Sequence, residues 1–158
     1  YSAAISACAK GGGTWKAAMG LLVEMKERHG LEPNSIMYSA AIETLLAEGE
    51  ASKAVHLFNM CRFYEDLRPK AVLSRGEIDF HGSTLPVCCV ALLGLVDHVR
   101  AYGGARVAGA GLLVITGKGL HSGGDPVLRE GVREFVTESL ELEVQEVPDN
   151  PGRFFVKF

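Results

Sequence analysis

This 158-residue sequence predicts two architectures in tandem. Residues 1–72 read as α-helical hairpin repeats of the α-solenoid type, and residues 75–158 as an α+β two-layer sandwich with a mixed sheet, in the order β-α-β-α-β-β. Three observations predict this. The first half repeats itself. Its apolar residues recur at helical spacing between glycine and proline breaks. From Arg75 onward, short alternating or wholly apolar runs take turns with helix-period runs, as strands and helices do.

Tyr1-Ser2-Ala3-Ala4-Ile5 recurs as Tyr38-Ser39-Ala40-Ala41-Ile42, an offset of 37 residues. Ala18, Leu21, Leu22, Met25, Leu31 and Pro33 match Ala54, Leu57, Phe58, Cys61, Leu67 and Pro69 at an offset of 36. The one-residue slip falls in Gly11-Gly12-Gly13, a turn that tolerates an insertion. Each unit, 1–34 and 35–70, reads as two helices. These run from about Tyr1 to Lys10 and Thr14 to Arg28 in the first, and from about Ser35 to Glu48 and Ala51 to Phe63 in the second. Ala18, Leu21, Leu22 and Met25 fall at i, i+3, i+4 and i+7, which is one apolar stripe. Leu31-Glu32-Pro33 and Leu67-Arg68-Pro69 close the units, because proline cannot continue a helix.

In the second half, Glu77-Ile78-Asp79-Phe80-His81 alternates polar and apolar residues and reads as a strand. Gly82-Ser83-Thr84 is a turn. Ser83 or Thr84 can cap the next helix, and Pro86 sits in its first turn, where its missing N–H does no harm. That helix stops at Gly103-Gly104. Gly111–Thr116 is a continuous apolar run, consistent with a buried central strand. A glycine-rich loop, Gly117–Gly124, leads to a second helix opened by Asp125-Pro126, with Leu128, Val132, Phe135 and Val136 on its apolar face. Leu142–Val147 and Arg153–Phe158 form a closing hairpin across Pro148-Asp149-Asn150-Pro151-Gly152.

An apolar fraction of 47% with 22% charged residues is that of a soluble globular protein. No membrane partner is expected: the most hydrophobic stretch, Val87–Val96, ends at Asp97 and His98, short of the roughly 20 residues a spanning helix needs. The chain begins at Tyr1 inside a repeat, so it reads as a fragment, with further repeats and any targeting peptide expected upstream. Cys8, Cys61, Cys88 and Cys89 form no C-x-x-C pair and read as small buried hydrophobes in a reducing compartment. Residues 1–72 carry eight basic and eight acidic residues. Residues 73–158 carry eight and eleven, a net charge of −3 that weighs against tight nucleic-acid binding by that half alone.

A unit of about 35 residues that opens Tyr-x-x-x-Ile and closes with Met25-Lys26 and Gly30-Leu31-Glu32-Pro33-Asn34 resembles a pentatricopeptide repeat. The second copy departs near its end, where Cys61-Arg62 replaces Met-Lys. The resemblance implies single-stranded RNA as partner, read about one base per unit. It also implies that Ser2 with Asn34, and Ser39 with Lys70, choose the base. The first pair is similar to adenine-favouring combinations. Lys70 departs from the expected Asp or Asn, and the second unit reads equally well as a cap over the repeat core.

Ile78-Asp79-Phe80-His81-Gly82 resembles the Leu-Asp-x-His-Gly motif of the small MutS-related (SMR) domain. Thr116-Gly117-Lys118-Gly119-Leu120-His121-Ser122 resembles its Thr-Gly-x-Gly-x-His-Ser loop, and Asn150-Pro151-Gly152 its final turn. Together with the repeats, the chain resembles the pentatricopeptide-SMR proteins of plant and algal organelles. An organellar location, chloroplast or mitochondrion, is what that resemblance implies. The SMR resemblance points to Asp79 and His81 as catalytic, with Lys118 and His121 beside them, and to Gly117, Gly119 and Ser122 as nucleic-acid contacts. Cutting a phosphodiester needs proton transfer, nucleophile alignment and charge neutralisation. His81 can move protons near neutral pH. Asp79 can orient the imidazole or bind a metal. Lys118 and the N–H groups of Gly117 and Gly119 can cradle a phosphate.

Two routes fit. In one, His81 deprotonates an RNA 2′-hydroxyl and no cofactor takes part. In the other, Asp79 holds Mg²⁺ and water attacks. The first is favoured, because only one acidic residue sits in the motifs. The expected function is therefore an endonuclease acting on single-stranded RNA selected by the repeats, with DNA open as an in vitro substrate. The alternative is a non-catalytic RNA-binding protein that supports organelle RNA processing or translation.

Overall fold

The computed structural model describes residues 1–61, 67, 69–72, 76–102, 111–117 and 127–158. The chain divides into two compact units, Tyr1–Arg68 and Pro69–Phe158.

The first unit holds α1 (Ser2–Ala7), α2 (Trp15–His29), α3 (Ser35–Ala47) and α4 (Ala51–Cys61). α1 runs on into a wide turn, Cys8–Gly12, inside which Lys10 and Gly11 leave helical geometry. Thr14 opens α2, its hydroxyl accepting from the Ala17 N–H at 3.3 Å. Asn34 opens α3, its Oδ1 accepting from the Met37 N–H at 3.1 Å. Each satisfies a donor that a helix start would otherwise leave bare. α2 ends at Gly30 (φ 61), a left-handed position that suits glycine; the Gly30 and Leu31 N–H groups then reach the Lys26 and Met25 carbonyls, both at 3.1 Å. Ile5, Ala18, Ala41, Ile42 and Ala54 are each 0% exposed, so small side chains let the helices approach while Ile5 and Ile42 fill the space between them.

In the second unit, β1 (Lys70–Val72), β2 (Glu77–Asp79), β3 (Leu112–Ile115), β4 (Glu143–Glu146) and β5 (Arg153–Lys157) form one sheet in the order β1-β2-β3-β5-β4. β2 and β3 are parallel; the other neighbours are antiparallel. The crossover from β2 to β3 is α5 (Leu85–Tyr102), and α6 (Val127–Glu134) precedes the closing hairpin, prolonged by a wide turn at Phe135–Ser139. The Cys88 N–H donates to the Thr84 carbonyl at 3.1 Å, which makes Thr84 the cap of α5 and leaves Pro86 in its first turn. Alternation assigns the faces. Ile78, Leu112, Val114, Phe154 and Val156 point one way and pack with Leu92 and Val96 of α5 and Val132 of α6. Glu77, Asp79, Leu113, Ile115, Arg153 and Phe155 belong to the other face. The Arg129 guanidinium ties α6 to β4 through Glu146 and also meets Glu130.

The expected fold class is corrected. The first unit is one compact body of two helical hairpins rather than a solenoid: each hairpin's likeness to the other shows how it folds, not that a superhelical array forms. The second unit has five strands rather than the four of a β-α-β-α-β-β sandwich. The added strand is β1, antiparallel to β2 with Lys70 opposite Asp79. Three residues are too few for alternation to announce a strand, and what holds this one is antiparallel pairing with nearby β2. Lys70 was expected to end the second repeat, and β1 takes it into the sheet instead.

The helix that carries the Val87–Val96 stretch is 18 residues long. α5 is long and apolar enough to cross a bilayer by length and composition. Its residues Val87, Cys88, Cys89, Val90, Leu92, Val96 and Val99 are nevertheless buried within the chain, as the crossover helix of a sheet requires.

All four cysteines are free and buried. Burial pushes the Cys61 thiol from its ordinary 9.0 up to about 11 and Cys89 up to about 12. Cys88 is raised as well, first by burial and then by its neighbour Cys89. Folded-state values above unfolded ones give stability that is fully present below the ordinary thiol value and lost as pH climbs toward the folded values. The melting temperature is expected to fall from about pH 9 upward as unfolded thiols ionise, and Cys88→Ala is expected to flatten that fall. Identical pH profiles for the two proteins would refute this.

Candidate functional site

β2 and β3 run parallel and end side by side, so the residues just beyond them meet. The ladder's last pair is Asp79 opposite Ile115. The Phe80 N–H then donates to the Ile115 carbonyl at 2.8 Å, and the Phe80 side chain is fully buried in the core. This anchor sets His81 against Gly117: a Cβ added to Gly117 would stand 3.0 Å from His81 Nδ1. Gly117 also has φ +79, which side-chain-bearing residues rarely adopt. The backbone favours glycine there, and any added Cβ would press the imidazole aside by a few tenths of an ångström.

Asp79 Oδ1 accepts a hydrogen bond from the backbone N–H of His81 at 2.8 Å. The Ser83 N–H closes the turn onto the Phe80 carbonyl at 2.9 Å. The carboxylate therefore fixes the backbone that presents His81. The contact described for Asp79, which the sequence offers as a holder of the imidazole or of a metal, is with the His81 backbone. The imidazole is exposed and makes no hydrogen bond among the described residues.

The Asn150-Pro151-Gly152 turn lies at the same end of the sheet. Its Gly152 carbonyl accepts from the Thr116 N–H at 3.0 Å. The turn is braced internally by Gly152 N–H to Asn150 Oδ1 at 3.3 Å and Arg153 N–H to the Asn150 carbonyl at 3.2 Å. Asp79, His81, Gly117 and the Asn150 turn thus form one neighbourhood. Thr116 is 6% exposed, and its hydroxyl oxygen is buried without a partner among the described residues.

Among the described residues, no three His, Cys, Asp or Glu side chains assemble to hold a metal. One oxygen of Asp79 is already engaged by the His81 N–H. Mg²⁺ commonly takes one or two carboxylates and draws its other oxygens from water and substrate phosphate, so Asp79 is the described residue that would hold it here.

Lys118, Gly119, His121 and Ser122 lie outside the described residues. Lys70 stands opposite Asp79 in the backbone register of β1 and β2. Ser2, Asn34 and Ser39 are in the first unit. Ser2 is the first residue of α1 and half-buried, Ser39 is half-buried within α3, and Asn34 caps α3. Among the described residues no hydrogen bond joins Ser2 to Asn34, whose Oδ1 already serves the cap.

Sequence reasoning passed over Arg153. It directly follows the Asn150-Pro151-Gly152 turn, and the alternation of Arg153, Phe155 and Lys157 against buried Phe154 and Val156 was the available signal.

The geometry defines a small sheet-and-helix unit with a histidine-bearing turn at the ends of its parallel strands. Comparison of the chain with models of protein families, with curated proteins and with solved structures finds no match.

Proposed function

We propose that the chain is an endonuclease for single-stranded RNA, with the second unit as the cutting unit and the helical hairpins of the first as its RNA-holding part. The observation that carries this reading is the convergence of Asp79, His81 and Gly117 with the Asn150-Pro151-Gly152 turn at one end of the sheet. Resemblance of these segments to SMR motifs, and of the hairpins to pentatricopeptide repeats, supports it, and an organellar setting goes with that proposal.

His81 takes the proton from a ribose 2′-hydroxyl. The 2′-oxygen attacks the adjacent phosphorus, and the bond to the 5′-oxygen of the next nucleotide breaks. That oxygen regains a proton from the imidazolium or from water. The products are a 2′,3′-cyclic phosphate and a free 5′-hydroxyl. Asp79 holds the turn from which the imidazole projects.

The test uses the full chain with end-labelled single-stranded RNA in EDTA. Cleavage that leaves cyclic-phosphate ends is expected. Cleavage only on addition of Mg²⁺ would overturn the metal-free route. Binding without cleavage under either condition would favour a non-catalytic RNA-binding protein. That second reading has its own support in the net charge of −3 over residues 73–158 and in an imidazole that no carboxylate orients among the described residues.

A further inference from the structure

The proposed reaction places negative charge on phosphoryl oxygens, and His81 alone does not neutralise it. Asp79 has a cation in line with it across the sheet. The registers put Asp79 opposite Ile115 and Ile115 opposite Arg153. Neighbouring strands lie about 4.8 Å apart, so the Cα atoms of Asp79 and Arg153 stand about 10 Å apart across Ile115. All three residues belong to the face opposite the core, because Ile78, Val114 and Phe154 are 3%, 0% and 0% exposed on the other.

Arg153 is exposed and has no carboxylate partner among the described residues. Among the other described cations of this unit, Lys157 pairs with Glu143 at 2.8 Å, and Arg129 and Arg133 of α6 pair with Glu130 and Glu146; Lys70 stands opposite Asp79 in the backbone register of β1 and β2. The Arg153 backbone is held by the turn before it, which is joined to Thr116 beside the His81 site. Ile115, half-buried, lies between Arg153 and Asp79 as a floor with no charge of its own. An arginine side chain starting two strands from Asp79 is long enough to reach across that floor, and its guanidinium fork matches a phosphate's oxygens.

We infer that Arg153 grips the scissile phosphate of the RNA and presents it to His81, an inference that rests on the nuclease reading above. The guanidinium donates hydrogen bonds to the non-bridging oxygens and offsets the charge that grows there.

The experiment uses the full chain and a 5′-labelled heteropolymeric single-stranded RNA in EDTA, with two readouts. Arg153→Ala is expected to slow cleavage at saturating RNA at least tenfold without moving the pH profile, and Arg153→Lys to recover part of the rate. Binding is measured in a His81→Ala background, so that the RNA survives. There Arg153→Ala is expected to lower the slope of log affinity against log salt by about 0.7, the loss of one phosphate contact, while Arg153→Lys keeps it. Unchanged rate and slope in Arg153→Ala, with the wild type still cutting, would overturn the inference and leave the nuclease reading intact. Failure of the wild type to cut would overturn that reading, and the salt slope alone would then decide whether Arg153 holds a phosphate.

Discussion

His81→Ala is expected to slow RNA cleavage by roughly 10²–10⁴-fold, the usual contribution of a positioned general base. The side chain is exposed and without a hydrogen bond among the described residues, so its removal leaves no buried group unsatisfied. The unfolding free energy of the variant should therefore match the wild type within about 0.5 kcal/mol. Loss of rate with retained stability separates chemistry from folding. Single-turnover cleavage beside urea denaturation checks both, and a variant that cuts at the wild-type rate would remove His81 from the mechanism.

The largest effect on stability is expected at the residue between Asp79 and His81. Phe80 is fully buried among the core residues of the second unit, and its N–H is bound to the Ile115 carbonyl. Phe80→Ala removes most of a buried ring and leaves a cavity beneath the site, a loss of about 3–5 kcal/mol. Whole domains are stable by only about 5–15 kcal/mol, so the second unit should unfold at markedly lower urea and its cleavage should fall with it. A transition unmoved by the substitution would mean that Phe80 does not anchor the turn.

The sequence disclosed local order better than assembly. Helical period was legible because buried residues recur on one face, as Ala18, Leu22 and Met25 do in α2. The β5 strand was legible for the same reason at period two, with Phe154 and Val156 buried between exposed neighbours. The assembled fold class was not. Likeness between two hairpins carries no information on whether an array forms, and β1, three residues long, has too few positions to show a pattern of its own before it pairs with β2. The site divides along the same line. Motif likeness singled out Asp79, His81 and Gly117, yet the Asp79 contact to the His81 backbone depends on the turn's conformation, and the line from Asp79 to Arg153 exists only once the strand order is known. Asn34 shows the converse: a residue marked for base reading spends its side-chain oxygen on a helix cap.

The most direct test of the central claim is cleavage of one RNA in two forms, all-ribose and with a single 2′-deoxy substitution at the mapped cut. The account predicts that the full chain cuts the first and leaves the second intact at that position, because the nucleophile deprotonated by His81 is gone. Equal cleavage of both would contradict it.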